Sequence, residues 1–165
     1  MRNTEIDLLL NIIDQGFDRK SWHGTNLRGS LRGLTVEEAA WRPAPDRRNI
    51  WELILHAAYW KYTVLRRLTE TPRGSFPLKG SNFWVRPTTA PGSEGELKAD
   101  IALLVTMHVA LRHAVAKLKP AELHAAAPGG TTTRLALVTG VAAHDVYHAG
   151  QIQLLKRLQQ GLPVC

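Results

Sequence analysis

The chain has 165 residues, 44% of them hydrophobic and 21% charged, with a formal net charge of +7. That length buries a substantial core, so a single globular domain over residues 1–165 is expected. No apolar run approaches the roughly 18 residues of a bilayer span, and Cys165, the single cysteine, rules out an intramolecular disulfide.

The first predicted element runs from Thr4 to about Lys20, where Ile6, Leu9, Leu10, Ile13 and Phe17 share one helical face. Acidic residues at Glu5 and Asp7 interrupt the apolar core that a signal peptide needs, so a cytoplasmic protein without a membrane partner is expected. "GTNLRGSLRGL" reads as a short second piece, and Thr35 with Glu38 forms a capping box that starts a brief turn. Pro43 and Pro45 then exclude helix.

Asn49 caps a long apolar helix reaching about Glu70. The segment 71–92 is rich in proline and glycine yet carries Phe76, Phe83 and Trp84. Such aromatics either wall a cavity or pin the loop to the helices beneath it. Ser93 caps a third long helix that stops before Pro120, and a connector with a Pro-Gly-Gly turn follows. The last helix runs from about Leu135 to Gln160, with Gly161 and Pro163 as stops. The whole is all-α: a four-helix bundle with short extra helical pieces and a long loop between the second and third long helices.

The basic residues are spread along these elements, with pairs only at Arg47-Arg48, Arg66-Arg67 and Lys156-Arg157. No dense basic stripe or nucleic-acid motif appears, so nucleic acid is a poor candidate partner. Cys165 lies at the chain end, where nothing in sequence lowers a thiol pKa, and is a poor nucleophile.

The chemistry lies with histidine. On the last helix Leu137, Val141, His144, His148, Ile152 and Leu155 form one stripe, which turns both histidines inward. Residues four apart on a helix lie one above the other, so two imidazoles can converge on one ion. With seven histidines in the chain, roughly a quarter of an i,i+4 pair is expected by chance, so context must decide. The competing reading is a pair of core histidines satisfied by hydrogen bonds.

His56 supplies that context. It sits within "LILHAAYW" on the second long helix, and a bundle can set it opposite the pair. Three clustered imidazoles without an ion leave nitrogens in need of partners. His23, His108, His113 and His124 are read as structural or exposed.

"WRPAPDRRNIWELILHAAYW" followed by "AAHDVYHAGQIQLLKRL" resembles the DinB superfamily, through Trp41, Arg42, Pro43, His56, His144, His148, Gly150 and Gln151. The "GSNFW" loop and the helix order extend the likeness over nearly all of the chain. The resemblance implies up-down-down-up connectivity and a divalent ion, zinc, nickel, iron or manganese, held by His56, His144 and His148, often within a homodimer. Three histidines leave open coordination positions, the arrangement of a catalytic site. Relatives include thiol-dependent enzymes such as bacillithiol S-transferases and mycothiol-dependent maleylpyruvate isomerases. The resemblance therefore implies a small-thiol-dependent S-transferase or a hydrolase, using a metal-activated thiol or water on a small-molecule substrate. The alternative is a non-catalytic metal-binding dimer serving as an interaction or stress-response module.

Around these ligands, Glu52 and Gln151 lie one turn from a histidine and are candidates for a base or a supporting partner. Trp60 and Trp84 are candidate substrate-pocket walls, or else core filler and loop anchor. Asp145 and Tyr147 leave the histidine face and are expected at the helix surface or a dimer contact. Gly150 in mid-helix is expected to serve close packing or substrate clearance.

Overall fold

Each long helix after the first begins where a short polar side chain takes up an unpaired backbone amide. The structure, a computed structural model, describes residues 4–161 and gives α1 (Thr4–Phe17), α2 (Leu27–Ser30), α3 (Val36–Ala40), α4 (Ile50–Leu68), α5 (Glu94–Ala116), α6 (Pro120–Leu123) and α7 (Arg134–Gln159). Asn49 accepts from the Glu52 amide at 2.8 Å and Ser93 from Glu96 at 3.1 Å, as expected. Thr35 and Glu38 close their capping box. Thr133, which the sequence reading passed over, caps α7 through the Ala136 amide at 3.2 Å. Among the described residues there is no strand, only a single bridge between Ala126 and Thr133. Pro163 and Cys165 lie outside the described residues.

α1 is shorter than predicted because the amides of Asp18 and Arg19 both turn back to the Asp14 carbonyl, at 3.0 and 2.8 Å, and end the helix. α4 packs against α5 and α7, and α1 packs against both α7 and α5. Burial divides into two apolar clusters. One gathers Trp51, Ile54, Leu104 and Ile152, and the other Ile13, Val64, Leu111 and Val138. α1 and α7 approach closely at Gly16, where a Cβ would meet the Ala142 carbonyl oxygen at 3.0 Å.

α5 corrects the expectation that nothing in the chain has the apolar length of a membrane span. Its most apolar window has mean hydropathy 1.4, and by length and composition it passes that test. Here it is a packing element, burying Leu97, Leu104, Leu111 and Val115.

The segment 71–92 is fastened at several points. Arg86 Nε donates to Asp100 Oδ2 at 2.6 Å, and Trp51 Nε1 donates to the same oxygen at 2.8 Å. Asn49 Nδ2 donates to the Arg86 carbonyl at 2.7 Å. Phe76 is buried against Tyr59 and Tyr62, and Trp84 packs on Tyr59 and Phe76. Phe76 and Trp84 thus pin the loop, which leaves Phe83 to do something else.

Gly150 needs correction. It is exposed, and a Cβ built there meets nothing within 4 Å, so close helix packing does not explain it. Gly150→Ala is expected to raise stability by roughly 0.5–1 kcal/mol, measured by urea unfolding, because only the backbone entropy of glycine is removed.

Candidate metal centre

α4 contributes His56 and α7 contributes His144 and His148, and one nitrogen from each ring lies within 4.8 Å of the others. His144 Nε2 is 3.1 Å from His56 Nε2 and 3.0 Å from His148 Nε2. His56 and His148 are buried, while His144 is partly open. The three residues named from the sequence therefore meet at one point.

The outer nitrogens decide what the inner ones can offer. His56 Nδ1 lies 2.9 Å from the Asn82 backbone carbonyl, which can only accept, so Nδ1 carries the proton and Nε2 a lone pair. His148 Nδ1 lies 2.7 Å from Gln151 Oε1, while Gln151 Nε2 donates to the Tyr147 hydroxyl at 3.0 Å. That again places the proton on Nδ1 and the lone pair on Nε2. Two lone pairs thus face His144 Nε2, and one N–H there cannot satisfy both. A cation can accept all three Nε2 lone pairs, so the residues present fit a divalent ion. His144 Nδ1 is buried without a hydrogen-bond partner among the described residues. Burial, reinforced by neighbouring cationic forms, lowers His144 to about 3 and His148 to about 4, and burial also lowers His56. All three rings are neutral at pH 7, the state a metal requires.

Asn82 and Phe83 are the contributors that the sequence reading missed. Asn82 adopts a φ of 68°, a conformation asparagine tolerates better than most residues, and this aims its carbonyl at His56. Its side-chain oxygen accepts from Trp60 Nε1 at 3.1 Å. The Phe83 ring stacks on His56 at 4.1 Å with the planes 11° apart, covering that side of the site. Arg48 also lies over the Phe83 ring, its guanidinium carbon 4.3 Å from the ring centre.

The remaining candidates separate. Gln151 supports His148 directly. Trp60, 38% exposed, stands edge-on to His56 at 6.2 Å and forms part of the rim. Trp84 makes its contacts with the loop and with Tyr59 rather than with the histidines. Glu52 is buried, but its oxygens accept from Arg42, from Arg48 at 3.3 Å and from the Arg86 amide at 3.4 Å, and none goes to a histidine. Burial opposes its charge, yet these partners, Arg42 foremost, hold its carboxyl below the usual range. Glu52 ties Arg42 of the "WRP" segment to the start of α4.

Asp145 corrects the surface expectation outright. It is fully buried and ion-paired with Lys61, itself fully buried on α4. Tyr147, by contrast, is 63% exposed, as expected. The reason is that α7 packs on α1, α2 and α4 together, so its buried arc includes Val138, Ala142, Asp145 and Ala149 beside the predicted stripe.

His108 completes this cluster. Its Nδ1 lies 3.4 Å from Lys61 Nζ, and its ring stacks on Phe17 at 3.7 Å. Burial first, then the charges of Lys61 and Arg112, lower its pKa to about 3 from an ordinary 6.5. The unfolded chain therefore binds this proton more readily between those two values. Stability from His108 is complete above about pH 6.5 and is lost as pH falls, by roughly 1.4 kcal/mol per pH unit. Urea midpoints of metal-stripped protein between pH 7 and 4.5 are expected to fall more steeply than this, because the triad histidines are lowered too, with His108→Gln reducing the slope by about one proton.

The DinB superfamily sequence profile matches residues 21–152, a span that includes all three histidines and Gln151. Among solved structures, one described as a conserved protein from Enterococcus faecalis is similar with a TM-score of 0.68 at 17% identity. The similarity covers 98% of this chain and 99% of that one, and at this identity it speaks to the fold. No curated protein matches the sequence. Profile, fold and histidine triad agree: the chain belongs to the DinB superfamily.

Proposed function

We propose that the protein is a divalent-metal-dependent enzyme in which His56, His144 and His148 hold the ion. It catalyses small-thiol-dependent S-transfer or hydrolysis of a small molecule. The observation that carries this reading is the convergence of three Nε2 atoms, two of them fixed as lone-pair donors by acceptors at Nδ1. When bound, such an ion supplies Lewis acidity and a nucleophile of lowered pKa at neutral pH.

The chain's own residues do the rest. Asn82 and Gln151 hold the His56 and His148 rings in the ligating tautomer, and Phe83 shields His56 from water. Trp60 borders the more open His144 and Tyr147 stands edge-on to His148, and both, exposed in part, offer an aromatic rim to a substrate. Three protein ligands suit a site with room for a reactant. The accompanying proposals are a single domain built as a four-helix bundle of up-down-down-up connectivity, and a cytoplasmic homodimer. The part-exposed apolar residues of α5, such as Ile101, Val105 and Val109, suit pairing with a second copy.

The test is a paired screen of metal-stripped protein and protein reloaded with zinc, nickel, iron or manganese. Thiol transfer to 1-chloro-2,4-dinitrobenzene and hydrolysis of p-nitrophenyl esters would be followed. Activity is expected only in a reloaded form, and equal activity in the stripped form overturns the reading. Tight metal binding that raises stability without turnover would instead favour a structural cross-link between α4 and α7.

A further inference from the structure

Beside the triad lies a second feature that the metal chemistry does not use. A cavity of about 610 Å³ opens between α4 and the loop segment 73–81. That volume is within the range of small-molecule sites. Its walls include the aromatic side chains of Tyr59, Trp60 and Phe76, and its charged lining is Arg66, Arg73 and Lys79, with no aspartate or glutamate.

We infer that this cavity binds a small anion, a carboxylate or phosphate carried on an aromatic or apolar body. Three observations converge on that chemistry. First, the three cations have no carboxylate partner among the described residues. Elsewhere in the chain Arg42, Arg48, Arg86 and Arg112 each meet one. Second, the lining residue Thr63 has a buried hydroxyl with no hydrogen-bond partner among the described residues. A mid-helix threonine ordinarily turns its hydroxyl back to the carbonyl four residues earlier. Thr106 and Thr139 do so here, at 2.9 Å each, while Thr63 leaves its donor uncommitted. Third, the aromatic walls supply stacking faces for an apolar body, and the floor is held in place. The Tyr62 hydroxyl accepts from the Gly74 and Ser75 amides, both at 3.2 Å.

The cavity and the triad share a wall. Trp60 lines the cavity, stands edge-on to His56, and donates to Asn82, whose carbonyl accepts from His56. An anionic tail seated among Arg66, Arg73 and Lys79 would leave its other end near the histidines. That last step rests on the metalloenzyme reading, but occupancy of the cavity does not.

The experiment is an NMR titration of the full chain with naphthalene-2-carboxylate and, in parallel, with neutral 2-naphthylmethanol. The carboxylate is expected to shift the Gly74, Gly80 and Ser81 amides and the Trp60 indole N–H, and to bind more tightly than the alcohol. Arg66→Gln and Arg73→Gln are each expected to weaken the carboxylate about fivefold and to leave the alcohol unchanged, the scale of one partly solvated charged hydrogen bond. Equal affinity for the two probes, or shifts clustered elsewhere, overturns the inference. Repeating the titration on metal-stripped protein separates the two readings. Unchanged carboxylate binding there supports the cavity whatever the activity screen returns. Binding that vanishes with the metal overturns it, because the anion is then meeting the ion.

Discussion

Lys61→Met is expected to cost about 3–5 kcal/mol of folding stability, the scale for a buried charge stripped of its partner. Lys61 and Asp145 have no exposed side-chain surface, and Asp145 Oδ1 has no hydrogen-bond partner among the described residues. Removing the ammonium therefore strands a carboxylate whose ionisation burial already opposes. It also deprives His108 Nδ1 of its neighbouring donor. The double variant Lys61→Met with Asp145→Leu is expected to recover most of the loss, since a well-packed apolar pair of similar volume can replace a buried ion pair at little cost. Urea midpoints for wild type, both single variants and the double variant measure the coupling. A Lys61→Met loss below about 1 kcal/mol would show that the pair is not energetically closed off from water.

His148→Ala is expected to abolish stoichiometric metal binding while leaving the helical signal and the unfolding midpoint of the stripped protein close to wild type. The ring offers one of the three lone pairs that converge among the described residues, so its loss leaves two ligands on different helices. Gln151→Leu tests the supporting partner. It keeps the ring and removes the acceptor at His148 Nδ1, and is expected to weaken metal binding by about 10–100-fold. Competition with a chromophoric chelator reads both effects, and elemental analysis gives the stoichiometry. Wild-type affinity in His148→Ala would remove this residue from the ligand set, and unfolding of that variant would favour a structural metal.

Helix starts were legible where the signal is a side chain at a fixed offset, as at Asn49, Ser93 and the Thr35–Glu38 box. The triad was legible because an i,i+4 pair and a lone histidine in an apolar run are patterns within single helices. Asp145 was not. A one-stripe reading treats α7 as facing one neighbour, whereas it is wrapped by three helices and buries an arc wide enough to enclose a charge. Its partner had left a trace, since Lys61 is the one charge interrupting the apolar run "HAAYWKYTVL". Glu52 misled because proximity to His56 along the helix outweighed Arg48, four residues before Glu52 and in salt-bridge register with it. Residue 82 could not be read as a partner of His56, because what it offers that ring is a backbone carbonyl, which every residue has.

That carbonyl has a consequence for how this site would drift or be redesigned. The group that orients His56 belongs to no side chain, so a substitution at position 82 reaches it only through the path of the backbone. What position 82 must preserve is a left-handed turn of the chain. Glycine and aspartate take that turn readily and β-branched residues resist it. The tolerated alphabet at this position would be set by shape, and a valine there would damage a histidine it never touches.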